Sequence, residues 1–130
     1  MMYKKVMVID DSHFDRLIAE KVIQLSKFAD DVITIDSALE GIDYLNSNAN
    51  NPEEIPEIIF LDIRMPIVDG FGFLKKFENS PQLIHEKCKI FMLSSSLDPK
   101  DIKRANKCKY VHGFISKPLS KEKLVQLMKL

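Results

Sequence analysis

Five residues of this chain combine reactive side chains with placement at the ends of short apolar runs: Asp10, Asp11, Asp62, Ser94 and Lys117. Lys5-Val6-Met7-Val8-Ile9 leads into Asp10 and Asp11, Ile58-Ile59-Phe60-Leu61 into Asp62, and Ile90-Phe91-Met92-Leu93 into Ser94, while Val111 to Ile115 runs toward Lys117. One acidic pair behind a strand more often caps a helix or fills a turn. The weight lies in the recurrence of polar groups at the same edge. Three carboxylates gathered there would repel one another and raise each other's pKa unless something positive sits among them. A hard divalent cation answers that need, and carboxylate oxygens, a backbone carbonyl and waters suit Mg²⁺. No histidine or thiolate is placed to select zinc. Beside such an ion Asp62, leaving a buried strand, could act as a nucleophile toward phosphorus and form an aspartyl-phosphate. Lys117 would supply a point charge to one phosphoryl oxygen, and the Ser94 hydroxyl could turn to hydrogen-bond another. Lys117 precedes Pro118, and a cis bond there, the form of only ~5–6% of X–Pro bonds, would aim the lysine inward.

The elements that must position these residues alternate. After the first apolar run, Ser12 to Leu25 can be helical, with Phe14, Leu17, Ile18, Val22 and Leu25 predicted on its inward face and Ser12-x-x-Asp15 as a capping box. Val32-Ile33-Thr34-Ile35 is a second strand, followed by Ser37-x-x-Glu40 and a helix with Ala38, Leu39, Ile42 and Leu45 inward. Asn46 to Glu54 reads as a polar loop before the third strand, whose unbroken apolar run suits a strand covered on both faces. After Asp69-Gly70 comes a helix with Phe73, Leu74 and Phe77 inward, then the fourth strand. Asp98-Pro99 starts a polar helix, the fifth strand follows, and Leu124, Val125, Leu127 and Met128 stripe the last helix. Strict βα alternation predicts α/β architecture: a doubly wound, five-stranded parallel sheet of flavodoxin-like order 2-1-3-4-5, with the functional residues outside the strands' carboxyl ends.

A length of 130 residues predicts one domain over 1–130 and one site. Hydrophobic residues at 45% and charged residues at 29% are globular composition, and no apolar run approaches the roughly 20 residues of a spanning helix. Met1 to Lys5 lacks the apolar core and cleavage site of a signal peptide, so a cytoplasmic location with no membrane partner is expected. Cys88 and Cys108 stand apart from each other and from any ligand-spaced histidine, and are read as reduced bystanders. Net charge is zero, but residues 1–97 carry 10 basic and 16 acidic side chains while 98–130 carry 9 and 3. That split of −6 against +6 can steer a protein partner and is equally the signature of solvated helices; it does not read as nucleic-acid binding. His13, His85 and His112 are assigned no function, as a helix-start surface residue, a loop residue and a strand neighbour.

From Lys5 almost to its end the chain resembles the receiver domains of two-component response regulators, of the stand-alone single-domain type. The matching segments are Val8-Ile9-Asp10-Asp11-Ser12, Phe60-Leu61-Asp62-Ile63-Arg64-Met65-Pro66-Ile67-Val68-Asp69-Gly70, Met92-Leu93-Ser94-Ser95-Ser96 and Phe114-Ile115-Ser116-Lys117-Pro118-Leu119. The resemblance implies that Asp62 is the phosphoacceptor and that Asp11, Asp62 and the Arg64 backbone carbonyl bind Mg²⁺, with Asp10 acting largely through water. It makes Ser94 the switch hydroxyl, Lys117 the phosphate-binding lysine and Phe114 the aromatic switch, although Phe114 reads equally as a core residue of the fifth strand. As phosphodonor it implies a sensor histidine kinase or a histidine phosphotransfer protein, with homodimerisation on phosphorylation left open. Ser94 replaces the more usual Thr, and Arg64 sets a cation two residues after the acceptor, where crowding or charge would alter the phosphoryl lifetime. The stretch from Asn46 to Pro56 is long for the family and receives no role.

Two other readings compete. A haloacid-dehalogenase-like phosphatase also uses Mg²⁺ and an aspartyl-phosphate, but its nucleophile ends the first strand in an Asp-x-Asp pattern, and here that strand ends Asp10-Asp11-Ser12. A receiver-like interaction module indifferent to phosphate is disfavoured by the intact constellation. No GxxxxGK[ST] loop is present for nucleotide binding. The chain ends with the last predicted helix, so output is expected through a downstream protein. The basic face of residues 98–130, with Lys100, Lys103, Arg104, Lys107, Lys121 and Lys123, suits an acidic or helical partner.

Overall fold

A computed structural model describes residues 2–128. The strands β1 (Tyr3–Ile9), β2 (Ala29–Ile35), β3 (Ile58–Asp62), β4 (Lys89–Ser94) and β5 (Val111–Ser116) form one sheet in the order β2-β1-β3-β4-β5, every pair parallel. The helices α1 (His13–Leu25), α2 (Ala38–Ser47), α3 (Gly70–Phe77), α4 (Gln82–Lys87), α5 (Pro99–Asn106) and α6 (Lys121–Met128) connect and follow them. This is the doubly wound, flavodoxin-like architecture that the βα alternation predicts. Among the described residues no helix is long and apolar enough to cross a membrane.

The apolar runs do not alternate with polar residues because the sheet is covered on both faces. Met7, Ile9, Ile59, Leu61, Ile90 and Met92 point into one core with α2, α3, α4 and α5, where Leu45, Phe73, Phe77, Ile84 and Ala105 meet them. Val6, Val8, Ile58, Phe60, Phe91 and Leu93 point the other way, onto Ala19 and Ile23 of α1 and Leu124 of α6. The two-residue period of a strand thus sorts each run between two cores. β1 sits between β2 and β3 in register Val8↔Thr34 and Val8↔Phe60, which brings Asp10 beside the end of β3.

The structure corrects several sequence expectations. On α1, Phe14, Leu17 and Leu25 are exposed, Ile18 and Val22 half-buried, and the buried positions are Ala19 and Ile23. The helix is therefore rotated from the face that its large apolar residues define, because small Ala19 admits close approach to the sheet. Leu39 is exposed on α2, and on α6 only Leu124 is buried, with Leu127 half-buried and Val125 and Met128 exposed. β2 begins at Ala29 rather than Val32; Asp30 and Asp31 are tolerated because it is an edge strand with one open side. The predicted loop after α2 contains a 3₁₀ turn at Pro52–Glu54. α4 was not predicted, and His85 lies in it rather than in a loop.

Candidate functional site

β1, β3, β4 and β5 deliver Asp10, Asp11, Asp62, Ser94 and Lys117 to one edge of the sheet. Oxygen atoms of Asp10, Asp11 and Asp62 all lie within 4.8 Å of one another. Asp10 and Asp62 are buried and Asp11 is exposed. Lys117 reaches all the way in: its Nζ stands 2.7 Å from Asp10 Oδ2, 3.3 Å from Asp62 Oδ1 and 3.0 Å from Asp15 Oδ2. The Lys117–Pro118 peptide bond is cis, the form the sequence context suggested. Behind it, Lys123 Nζ donates to the carbonyls of Ser116 and Pro118, fixing the loop that carries Lys117. Lys123 is half-buried there.

The carboxylate of Asp62 is only 5% exposed as a residue, and burial first, then the neighbouring Asp10 charge, pushes its pKa from 3.8 up to about 7, against the opposing pull of Lys117. Burial acts to lower the Lys117 pKa, but hydrogen bonds to Asp10 and Asp15 and the Asp62 charge outweigh it and hold the ammonium well above its usual value. Lys117 is thus a permanent cation and Asp62 a reluctant anion. This donor set fits a divalent cation: three hard carboxylates converge, two buried, and among the described residues Lys117 is the one lysine paired with them. Asp10 has both oxygens engaged, Oδ1 by the Ser12 N–H at 2.9 Å and Oδ2 by Lys117. Asp62 meets Lys117 through Oδ1 at the longer distance of 3.3 Å, and Asp11 is exposed.

Local structure explains why these groups stay in place. The Ser12 hydroxyl caps α1 by accepting from Asp15 N–H at 3.2 Å, but the reciprocal half of the predicted capping box is absent. Asp10 serves the Ser12 N–H, and the Asp15 side chain goes to Lys117, 102 residues away in sequence. Arg16 Nη1 donates to the Asp10 carbonyl at 2.8 Å and pins the strand end from the helix side. Gly70 begins α3 directly under the acceptor, where a Cβ would lie 2.6 Å from the Asp62 carbonyl oxygen. Between them Val68 N–H donates to Pro66 O at 2.8 Å, a three-residue turn that holds Ile67 at φ 68° and 97% exposed. A β-branched residue in the left-handed region carries strain on the order of 1–3 kcal/mol.

The Ser94 hydroxyl faces its own loop rather than Asp62: it donates to Ser96 O at 2.6 Å and accepts from Ser96 N–H at 3.1 Å. Phe114 is half-buried against the α2–α5 core, in register with Met92. Arg64 sends its side chain to Asp101 in the first turn of α5, forming an ion pair through Nη2 and Oδ2. Sequence reading missed Asp15, Arg16 and Asp101 as members of this neighbourhood. The cysteines stand outside it; Cys88 is buried, donates to Pro56 O, and burial pushes its thiol up to about 12.

Residues 6–129 match the family model described as the response regulator receiver domain. Protein PilG of Pseudomonas aeruginosa is 37% identical over 125 residues, covering 96% of this chain and 84% of that protein. Among solved structures, a two-component response regulator from Cytophaga hutchinsonii superposes with a TM-score of 0.89 at 28% identity, covering 97% of this chain and 94% of that one. A response regulator receiver protein from Dyadobacter fermentans gives 0.86 at 31% identity, covering 97% and 95%.

Proposed function

This chain belongs to the response regulator receiver family of two-component signal transduction, and from that premise we propose that it is a phosphorylation switch in which Asp62 accepts a phosphoryl group with Mg²⁺ bound. It is a signalling domain and not a classical enzyme, and the phosphatase alternative draws no support from its relatives. The observation that carries the proposal is the convergence of Asp10, Asp11 and Asp62 around a fully engaged lysine.

Asp11, Asp62 and the Arg64 carbonyl would hold the cation, with Asp10 contributing through water. Bound there, Mg²⁺ would offset the repulsion among the carboxylates and the negative charge of the incoming phosphoryl oxygens. Asp62, relieved of its raised pKa, attacks phosphorus; the bond from phosphorus to the donor breaks and its electron pair leaves with the donor. Lys117 exchanges part of its contact with Asp10 and Asp62 for a phosphoryl oxygen, and Asp15 keeps its ammonium at the site meanwhile. Ser94 gives up Ser96 O and donates to another phosphoryl oxygen, which draws the β4–α5 loop inward and opens room for Phe114 to follow. A histidine kinase or histidine phosphotransfer protein is the donor this chemistry suits, and a downstream protein reads the altered face of α5, β5 and α6. Homodimerisation of the phosphorylated form is a further outcome of that altered face.

Phosphoramidate tests the reading, because its P–N bond presents the same leaving-atom chemistry as a phosphohistidine. With Mg²⁺, the wild-type chain is expected to show a new acyl-phosphate ³¹P resonance that Asp62→Asn lacks. The same resonance in the variant would overturn the assignment of Asp62.

A further inference from the structure

α5 meets the body of the protein partly through charged side chains. Its sequence, Pro-Lys-Asp-Ile-Lys-Arg-Ala-Asn, buries only Asp101 and Ala105, with Ile102 half-buried. Beside the packing of Ala105 into the core, two charged contacts tie it down: Arg104 lies 4.1 Å above the Phe71 ring of α3, and Asp101 pairs with Arg64. Among the described residues, Arg64 is the only side-chain partner of Asp101. The two partners differ sharply in mobility. The Arg64 side chain is 65% exposed and can swing, whereas that of Asp101 is 12% exposed and cannot hydrate without moving its helix.

Arg64 is also two residues from Asp62, which limits their Cα separation to roughly 7 Å, within the span of an extended arginine. A phosphoryl group on Asp62 would carry more negative charge than Asp101 and offer oxygens matched to the guanidinium fork. We propose that Arg64 is a latch between acceptor and α5: at rest it holds Asp101, and once Asp62 is phosphorylated its guanidinium transfers to the phosphoryl oxygens and releases the first turn of α5. Asp101, left buried and unpaired, must then turn toward water, so the helix loosens at the end nearest the site. The latch rests on Asp62 being the phosphoacceptor, and it acts beside the Ser94–Phe114 movement through a different contact. It also gives the Arg64 side chain a role beyond crowding the mouth of the site, because the charge is tethered to a particular helix.

Amide hydrogen exchange of the segment 98–107, measured on the full chain with acetyl phosphate and Mg²⁺, tests the latch, with the intact mass of each sample reporting its phosphorylation. In wild type, phosphorylation is expected to speed exchange there by about threefold or more, the scale of one lost ion pair. Arg64→Gln and Asp101→Asn are expected to exchange at the faster rate before phosphorylation and to gain little from it, while melting curves show both folded. Arg64→Lys, which keeps the charge and loses the fork, should retain the resting protection. Unchanged exchange in fully phosphorylated wild type would overturn the latch alone. So would a full wild-type response in phosphorylated Arg64→Gln, since the Ser94 movement would then suffice. Absence of any phosphorylated mass would overturn the latch together with the function on which it rests.

Discussion

Asp62 is held in a state that disfavours its own charge, and this has a consequence for stability. Its pKa is raised from 3.8 to about 7, so the folded chain keeps a proton that the unfolded chain has already released across that window. Stability contributed by this site therefore falls as pH rises from about 4 to about 7, and stays lower above it, when no divalent cation is present. Asp62→Asn removes the penalty. Its stability advantage over wild type should widen by about 1–3 kcal/mol between pH 4 and pH 8 in EDTA, and excess Mg²⁺ should narrow it by stabilising only the wild type. Urea denaturation at the two pH values measures this; a constant difference would mean that Asp62 is not a strained anion. Asp10, Asp11, Asp62, Ser94 and Lys117 were legible because each terminates an apolar run, and a strand's end fixes where its next residue goes. Asp15 was not, because its local pattern promised a cap while its carboxylate pairs with a lysine 102 positions on. Nothing within a turn of Asp101 signals Arg64, 37 positions earlier. Charge pairs across crossovers leave no periodic trace in a sequence.

At the scale of elements, strands were read more accurately than helix faces. The strands are buried on both sides, so their apolar content alone identifies them; the polar residues at their starts do not, and the runs fall short by Tyr3 and Lys4 in β1, by Ala29, Asp30 and Asp31 in the edge strand β2, and by Lys89 in β4. Helix faces depend on which apolar residues find the sheet, and α1 chose Ala19 and Ile23 over the bulkier Phe14 and Leu17. Ile23→Ala should accordingly cost about 2–5 kcal/mol, the range for truncating a buried aliphatic side chain. Phe14→Ala, 68% exposed, should stay within about 0.5 kcal/mol of wild type. Denaturant titration of the two variants decides between the faces; a Phe14→Ala penalty as large as that of Ile23→Ala would restore the sequence-based one. α4 escaped prediction because six residues with one buried side chain, Ile84, make too short a helix to show a period.

At the scale of the molecule, the alternation of strands and helices announced both the fold and the edge where chemistry gathers, since ligands of a doubly wound parallel sheet bind outside the carboxyl ends of its strands. The charge split followed the same division. Lys100, Lys103, Lys107 and Lys121 are exposed on α5, the residue after it, and α6, while the acidic cluster lies at the ends of β1 and β3. The site and the basic surface lie on either side of α5, which Arg64 contacts through Asp101 and to which the loop after Ser94 leads. The claim on which all of this depends is that Asp62 takes up phosphorus with a cation's help. Incubation with acetyl phosphate, with and without Mg²⁺, followed by the intact mass of wild type and Asp62→Asn, tests it most directly. The account predicts a gain of one phosphoryl mass in the wild type with Mg²⁺, labile to base, and none with EDTA or in the variant. Equal labelling of both chains, or none in a wild type independently shown to bind Mg²⁺, would contradict it.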